Sequence, residues 1–390
     1  MLSILLAATL LAPVPYCETY LGAIMDSDDN CDASHLIRRT IGVQSFLWGT
    51  KQMLMVNVGN ELRLYDLSTP NSPQQPDLIG ESSINVVIHT DKNQNLIEFG
   101  VGNDARFVPA AFGQEGSALV DLGTGSSPSF TSDDYWTLGT AQTNVGGFGF
   151  EHNGSQYLIG GNLPTGCAGG STIYLATGID AEGLAPLHCL SYFVSRGWYF
   201  EQNGTGFLYL ASEWGMVTAY SFVGSPASLT SHGSVGSNFA VDVEAEMGIS
   251  SSLAGTTLWD LSDGVNPVAY PTNPSFMGNI VAIRYPLAFV GISPMNTMGK
   301  LIDISDPSNT VEADPGFWSD PAATWNQLNC AVDFAADFSM DGSTLYFARY
   351  SVLQKVDVTG CIAPPPPPEV FSDGFESGNL SGWPSGFSQP

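Results

Sequence analysis

The sequence predicts an all-β protein: a seven-bladed β-propeller of four-stranded blades with a short disordered C-terminal tail. Three observations lead to this fold class. The 390 residues include 43 Gly, 25 Pro, 14 Tyr and 21 Phe, a composition typical of many short strands joined by tight turns. Long segments with the 3.6-residue period of a helix are hard to find. One strand-and-turn motif recurs along the chain at intervals of 39 to 55 residues.

The clearest copy of this repeat motif is residues 299–309, which alternate like a strand and then stop in an Asp-Pro-Ser-Asn turn. Four copies keep the aspartate at the same place and two diverged copies replace it with Leu175 and Ser221. These six copies are residues 62–70, 118–124, 256–264, 353–360, 171–178 and 217–224. A period near 40–50 residues is about the length of one four-stranded propeller blade. Seven copies therefore predict seven blades.

Each period can be filled with four strands, the motif being the fourth. The first blade would contain residues 20–24, 44–48, 53–57 and 62–67, and the third residues 135–139, 146–151, 156–160 and 172–176. Asn153-Gly154 and Asn203-Gly204 would join the second and third strands of their blades, because a type I′ hairpin turn needs positive φ at both central residues. We expect the neighbouring His152 to be exposed at such a tip.

The motif resembles the LVIVD repeat of bacterial extracytoplasmic propellers. Leu-Ile-Asp-Ile-Ser-Asp-Pro at 301–307 carries the resemblance, and residues 64–70 and 258–263 are similar; residues 338–346 resemble the SPDG-x-x-LY hairpin of several propeller families. The resemblance covers residues 20–358 and departs from the pattern at Leu175 and Ser221. It implies a propeller in an exported protein and supplies no catalytic residues.

The ends of the chain predict export. Residues 1–12 form an apolar run of signal-peptide length, which predicts a signal peptide over 1–16, although no basic residue precedes it. The propeller would occupy 17–362, a stiff Pro-rich linker 363–369, and a tail 370–390. That tail resembles the DGFESG-x-x-S-x-W end of exported Gram-negative proteins, which implies sorting or surface attachment; a tail without a reader and a remnant of a lost jelly-roll domain are alternatives. We expect a secreted, extracytoplasmic or cell-surface protein.

Charge and cysteine content restrict the partners and the compartment. The chain has 38 acidic and 11 basic side chains, a net charge of −27, which repels nucleic acid and anionic membrane surfaces. We expect a monomer without membrane insertion. An even number of cysteines in an exported chain predicts disulfides. The candidates are Cys17, Cys31, Cys167, Cys189, Cys330 and Cys361; the sequence does not settle their pairing, but Cys167 could pair with Cys189.

One loop suggests a metal. Asp26, Asp28, Asn30 and Asp32 place oxygen ligands at alternate positions, as at the start of a calcium loop, since Ca²⁺ takes 6–8 oxygens. The mid-loop Gly and the distal Glu of an EF-hand are missing, so the sequence favours a solvated acidic loop, with a Ca²⁺ site as the alternative. Ca²⁺ is the one cofactor that the sequence suggests.

The aspartates of the repeat motif form a set that could be mistaken for a catalytic array. They are Asp66, Asp121, Asp260, Asp303 and Asp357. Because each occupies the same position in a separate blade, we expect a structural role in which the carboxylate accepts backbone N–H groups at a turn. The sequence has no GxSxG elbow, HExxH pair or P-loop, and its five histidines fall in different blades.

Three long inserts are the better candidates for function. Residues 100–116, 162–170 and 292–298 would each lie between the third and fourth strands of a blade and so project from one face. The sequence therefore favours a non-catalytic binding or interaction module for a protein or glycan ligand. The alternative is a carbohydrate-active hydrolase or lyase, which would need two carboxylates about 5–9 Å apart at the channel mouth.

Overall fold

The computed structural model describes residues 19–25, 42–58, 61–67, 77–78, 84–85, 98–111, 117–126, 128, 135–138, 147–161, 166–178, 182–212, 215–223, 228–278, 280–291, 299–314, 334–349 and 352–361. Within these ranges the chain forms β-strands and one short 3-10 turn, Thr359–Cys361, and contains no α-helix. A search of the same ranges finds no helix with the length and apolar character needed to cross a membrane.

The strands pair antiparallel, mostly with their neighbours in sequence. β1 (Thr19–Met25) instead joins the last sheet. With β1 set aside, each sheet is named here by its first strand in chain order. The β2 sheet contains β2 (Val43–Trp48), β3 (Lys51–Val58), β4 (Glu61–Asp66), β5 (Asp77–Leu78) and β6 (Ile84–Asn85), and β6 pairs with β4. The β7 sheet contains β7 (Glu98–Phe99), β8 (Phe107–Ala111), β9 (Ser117–Asp121) and β10 (Tyr135–Leu138). The β11 sheet contains β11 (Gly147–His152), β12 (Ser155–Gly161), β13 (Ser171–Ala176) and β14 (Leu184–Cys189).

The C-terminal half continues in the same way. The β15 sheet contains β15 (Val194–Gln202), β16 (Thr205–Ser212), β17 (Met216–Val223) and β18 (Ser228–Ser237). The β19 sheet contains β19 (Phe239–Asp242), β20 (Met247–Ser252), β21 (Gly255–Asp260) and β22 (Val268–Ala269). The β23 sheet contains β23 (Ile280–Arg284), β24 (Leu287–Gly291), β25 (Gly299–Asp303) and β26 (Val311–Glu312). The β27 sheet contains β27 (Phe334–Phe338), β28 (Thr344–Arg349), β29 (Val352–Asp357) and β1.

Buried hydrophobic clusters lie between successive sheets and hold them in a closed ring. Phe107 of the β7 sheet packs with Leu158 of the β11 sheet, for example. The ring closes where Tyr346 of the β27 sheet packs with Val43 and Leu54 of the β2 sheet. Because each sheet is covered on both faces, a middle strand such as β16 is buried along almost its whole length. The predicted all-β propeller is confirmed, and each sheet is one blade.

The prediction of a uniform set of seven four-stranded blades is wrong. Six blades have four strands, and the β2 blade differs because β4 pairs with both β5 and β6 along its outer edge. Tyr65 and Asp66 of β4 pair with β5, whereas Glu61 and Leu62 pair with β6. The chain between β4 and β7 is long enough to supply two short strands, and a repeat motif on β4 carries no information about them.

The predicted assignment of strands to blades is also wrong by one position. The motif lies on the third strand of each blade, not the fourth, and β10 completes the β7 blade instead of opening the next one. The expected first strand of blade one, residues 20–24, lies within β1, which pairs with β29. A repeat defines the spacing of blades but not which strand begins one, and a strand from the other end of the chain closes the ring.

The predicted insert 100–116 is not a single loop. It contains β8, which pairs with β7 and β9; Pro109 and the flanking glycines concealed this strand, since proline is unusual within sheets. Beside it, the backbones of two blades approach closely: Gly102 N donates to Gly149 O at 2.8 Å and Gly149 N to Gly100 O at 3.1 Å. A Cβ on Gly149 would lie 1.8 Å from Phe107 O, so only glycine fits there. The segments 162–170 and 292–298 join the second and third strands of their blades, not the third and fourth.

Candidate functional site

The first strands of the blades surround a central channel. Its lining comes from β2, β11, β15, β19, β23 and β27, and from residues 101–103 after β7. The centres of water molecules can occupy about 60 Å³ of it, which is room for roughly five water-sized groups. The channel can therefore hold a small ion or molecule but not a sugar chain, and a glycan or protein ligand would have to contact a face of the ring.

Asp337 is the carboxylate among the described residues that line this channel. Its Oδ2 accepts the Ser45 N–H at 2.7 Å and its Oδ1 accepts the Phe338 N–H at 2.9 Å. Part of its surface faces the channel, yet protein encloses the group closely enough that burial raises the pKa of Asp337. The Ser45 N–H, then the Arg196 and Arg284 guanidiniums and the Phe338 N–H, act in the opposite direction and lower that pKa.

Arg284, at the end of β23, is anchored outside the channel by an aspartate. Its Nη1 lies 3.0 Å from Asp242 Oδ1 and 3.4 Å from Glu244 Oε2. Asp242 is almost fully buried and also accepts the backbone N–H of Tyr285 at 2.7 Å. The second terminal nitrogen of the guanidinium has a different partner: Nη2 donates to the thioether Sδ of Met340 at 2.8 Å. This pairing fixes the position of Arg284 in the wall of the channel.

A second guanidinium, that of Arg196, comes from β15. Its Cζ lies 5.4 Å from the centroid of the Trp198 ring, a cation–π distance. Arg196 lowers the pKa of Asp337, so its charge reaches the same carboxyl. Arg196, Arg284 and Asp337 thus come from three different blades and meet at one channel.

Two amide side chains complete the polar part of the lining. Gln44 donates from Nε2 to Val101 O at 2.8 Å and accepts the Val101 N–H at Oε1. Asn103 Oδ1 accepts the Leu47 N–H at 2.9 Å. The Oγ of Ser45 is buried and has no hydrogen-bond partner.

The charged side chains of the described channel lining are one carboxylate and two guanidiniums. Hydrolysis of a glycosidic bond needs two carboxyl groups on opposite sides of the bond. Among the described lining residues Asp337 stands without a second carboxylate, and two guanidiniums accompany it. The arrangement can bind and orient a small charged group, and it does not match the paired acids that the hydrolase alternative requires.

The predicted exposure of His152 is wrong. The turn beside it forms as expected, with φ of 50° at Asn153 and 74° at Gly154, but the ring is only 2% exposed because the β15 blade covers the hairpin tip. Asn153 Nδ2 donates to Nε2 at 2.9 Å, so in the neutral ring Nδ1 carries the proton and donates to the Tyr199 hydroxyl. That hydroxyl donates to Glu201 at 3.3 Å. Burial, then Glu201, raises the pKa of Tyr199.

The repeat aspartates lie at the ends of third strands around the ring, not in the channel. In four of them Oδ1 accepts the backbone N–H two residues later; these are Asp121, Asp260, Asp303 and Asp357. Asp121 also accepts Arg106 Nε at 2.6 Å. Asp66 pairs with Lys51 Nζ at 3.3 Å. At the diverged position Ser221, the hydroxyl contacts His232 Nε2 at 2.9 Å.

Three of the six cysteines lie among the described residues. Cys167 and Cys189 form the disulfide that their positions suggested. Cys361 is also disulfide-bonded. Cys17, Cys31 and Cys330 lie outside the described residues, as do Asp26, Asp28, Asn30 and Asp32 of the calcium hypothesis and the whole tail 370–390. Within the described ranges no group of three or more His, Cys, Asp or Glu side chains could hold a metal ion.

The channel residues were not predicted from the sequence. Arg284 and Asp337 each stand within or at the end of an otherwise apolar or aromatic first strand, whereas the strand of Arg196 also contains Ser195 and Glu201. A charged residue in such a strand is the one available signal, because burial of an unpaired charge is costly. It does not reveal that three distant strands meet.

Comparisons with known proteins identify the fold but no family. No protein-family model and no curated protein matches the sequence. One solved structure, described as "Crystal Structure of Mitotic Checkpoint Complex", contains a chain that is similar to this one. The similarity covers 92% of this chain and 98% of that chain, with 12% identity and a TM-score of 0.51. At this identity the likeness shows the β-propeller fold alone.

Proposed function

We propose that this protein is an exported, non-catalytic binding module that uses one face of its propeller to contact a protein or glycan ligand. The resemblance to the LVIVD repeat supports an extracytoplasmic location, and the Cys167–Cys189 disulfide is what an oxidising compartment allows. We propose further that the tail 370–390 directs sorting or surface attachment on a Gram-negative cell. For residues 26–32, Ca²⁺ binding is the alternative to a solvated acidic loop.

The observation that carries the binding proposal is the disulfide beside an insert. Residues 162–170 join β12 to β13, and Cys167 at their end is bonded to Cys189, the last residue of β14. Cys167 N also donates to Thr172 Oγ1 at 2.9 Å. A segment whose end is anchored before binding loses less conformational entropy when a ligand arrives. This arrangement suits recognition better than ornamental loop growth.

The insert lies on a face with other unusual features, here called the insert face. It is the face on which second and third strands connect, so residues 292–298, between β24 and β25, emerge there too. Leu253, in the β20–β21 turn, is 81% exposed, and Met216, at the start of β17, is 52% exposed. Solvated apolar side chains on this face are suitable contacts for a protein or a sugar ring.

A ligand screen with a disulfide variant tests this proposal. The full chain is screened for binding to a glycan array and to proteins of the bacterial envelope, and hits are measured again with Cys167→Ser/Cys189→Ser. The matched control is Val265→Ser, which changes an exposed residue between β21 and β22, on the opposite face. All measurements are made well below the melting temperatures, because losing this disulfide costs about 3 kcal/mol of stability.

We expect about tenfold weaker binding by the cysteine variant, equivalent to about 1.4 kcal/mol, and unchanged binding by the control. Equal affinity of both variants and the original chain would contradict a role for the insert face. Turnover of any glycan hit by the full chain would contradict the non-catalytic assignment.

For export and calcium the tests are separate. Fractionation of cells that express the full chain should place it outside the cytoplasm, and cytoplasmic retention would contradict export. A chelator should lower the melting temperature if residues 26–32 bind Ca²⁺, and an unchanged temperature would refute that site.

A further inference from the structure

We propose that the central channel is a binding site for a small oxyanion, a carboxylate or a tetrahedral phosphate or sulfate group, held by Arg196, Arg284 and Ser45. This goes beyond binding at the insert face, since it concerns a different surface and a different class of ligand. The basis is a set of hydrogen-bonding groups in the channel that have no partner, or only a weak one, in the protein.

The unused groups can all donate a hydrogen bond. The Ser45 Oγ is buried without a partner, and a buried hydroxyl left unsatisfied costs about 1–3 kcal/mol. Asn103 uses its carbonyl oxygen on the Leu47 N–H, which leaves its NH₂ group for another acceptor. Arg284 Nη2 donates to the sulfur of Met340, and a thioether is a weak acceptor. A ligand that brings oxygen acceptors would satisfy all three.

The acceptors that line the same channel are already engaged. Both oxygens of Asp337 accept backbone N–H groups, from Ser45 and Phe338. Oε1 of Gln44 accepts the Val101 N–H. Burial also raises the pKa of Asp337, which weakens its competition with a bound anion. Within the described lining, a ligand that mainly donates hydrogen bonds would find few acceptors that lack a partner.

Charge and size agree with this ligand class. The chain has a net charge of −27, yet two of its eleven basic side chains line this one channel. Guanidinium groups bind planar carboxylates and tetrahedral anions through paired, charge-assisted hydrogen bonds, which strengthen in a narrow site with little water. A space of about 60 Å³ for water centres accommodates a group the size of acetate or phosphate.

Calorimetry on the full, disulfide-bonded chain tests the site with acetate, sulfate and inorganic phosphate, each against chloride at constant ionic strength. We expect saturable binding of at least one of these anions, and the preferred anion distinguishes a carboxylate ligand from a tetrahedral one. Arg196→Gln should weaken binding about tenfold and Ser45→Ala about threefold. The control Arg106→Gln removes a guanidinium that pairs with Asp121 outside the channel lining and should leave affinity within about twofold.

A crystal soaked in selenate, whose selenium is located by anomalous scattering, gives the position. Selenium within the channel, near Arg196 and Ser45, is the expected result. The proposal is overturned if no oxyanion binds better than chloride, if the anomalous peak lies elsewhere, or if Ser45→Ala and Arg196→Gln bind like the original chain. Should Arg196→Gln fail to fold, Ser45→Ala decides the question. Failure here leaves protein or glycan binding at the insert face untouched.

Discussion

At the scale of single residues, Asp337 both connects two blades and lines the channel. Its carboxylate accepts the N–H of Ser45, a residue 292 positions away in sequence, and so connects the last blade to the β2 blade. Asp337 also lines the channel together with Arg196 and Arg284. Enclosing a carboxyl disfavours its charged form, and burial is the largest cause of its raised pKa.

This raised pKa predicts how stability depends on pH. An aspartate in the unfolded chain ionises at about pH 3.9, whereas Asp337 keeps its proton to a higher pH in the folded state. Between those two values the folded state binds more protons, so the free energy of unfolding falls as pH rises. The variant Asp337→Asn has no carboxyl group at this position, so it lacks this contribution to the pH dependence of the free energy of unfolding. Urea unfolding across a pH series should show the stability of the original chain, relative to the variant, decreasing through this window; an increase would contradict the assignment.

A second residue-scale prediction concerns the repeat motif. Asp303 Oδ1 accepts the Ser305 N–H at 2.9 Å, so Asp303→Ala should lower the free energy of unfolding by about 0.5–1.5 kcal/mol. Asp303→Asn keeps an acceptor oxygen and should cost less than half as much. Chemical denaturation of the two variants measures both. If Asn is as harmful as Ala, the turn hydrogen bond is not what the aspartate contributes.

Some of these residues could be foreseen from the sequence and others could not. Asp303 and its equivalents recur at one place in a repeat, so a shared local role was predictable, and the side chain and its partner are only two residues apart. Arg196, Arg284 and Asp337 interact across blades, and no local pattern records which strands meet. The predicted exposure of His152 was wrong for the same reason, since a neighbouring blade covers its hairpin.

At the scale of elements, the contact between the β7 and β11 blades depends on a close approach of backbones. Gly149 exchanges hydrogen bonds with Gly100 and Gly102, and Val101 pairs with Gly149 in an isolated parallel bridge. Closely spaced glycines such as Gly147 and Gly149 are compatible with a flexible backbone. The structure uses these two glycines for close approach, and the sequence alone does not separate the two roles.

Gly149→Ala should therefore be strongly destabilising. A Cβ there would meet Phe107 O at 1.8 Å, and relieving that overlap by moving a strand should cost about 3 kcal/mol or more. Gly154→Asn is the matched control: nothing lies within 4 Å of its Cβ position, and its φ of +74° is one that Asn tolerates, so the cost should be below about 1 kcal/mol. Thermal unfolding compares them, and similar melting temperatures would contradict the close approach.

At the scale of the whole molecule, the ring is closed by a strand from the other end of the chain. The repeat predicted the propeller and placed its strands well, because alternation and turn residues are local signals. It did not predict that β1 completes the last blade, since pairing between chain ends leaves no trace in periodicity. That pairing removes an exposed edge from β29, so the last blade is built from both ends of the chain.

The most direct test of this closed ring is a cross-link between its two ends. Ala23 and Gln354 are partners in the β1–β29 register, whereas Leu353 is paired with Ile24. Directly opposite residues on antiparallel strands have Cβ atoms close enough for a disulfide. The chain with Ala23→Cys and Gln354→Cys should form that disulfide, mapped by mass spectrometry, and melt at a higher temperature, while the offset pair Ala23→Cys and Leu353→Cys should not. Absence of the first cross-link, or equal formation of the second, would contradict the closed ring.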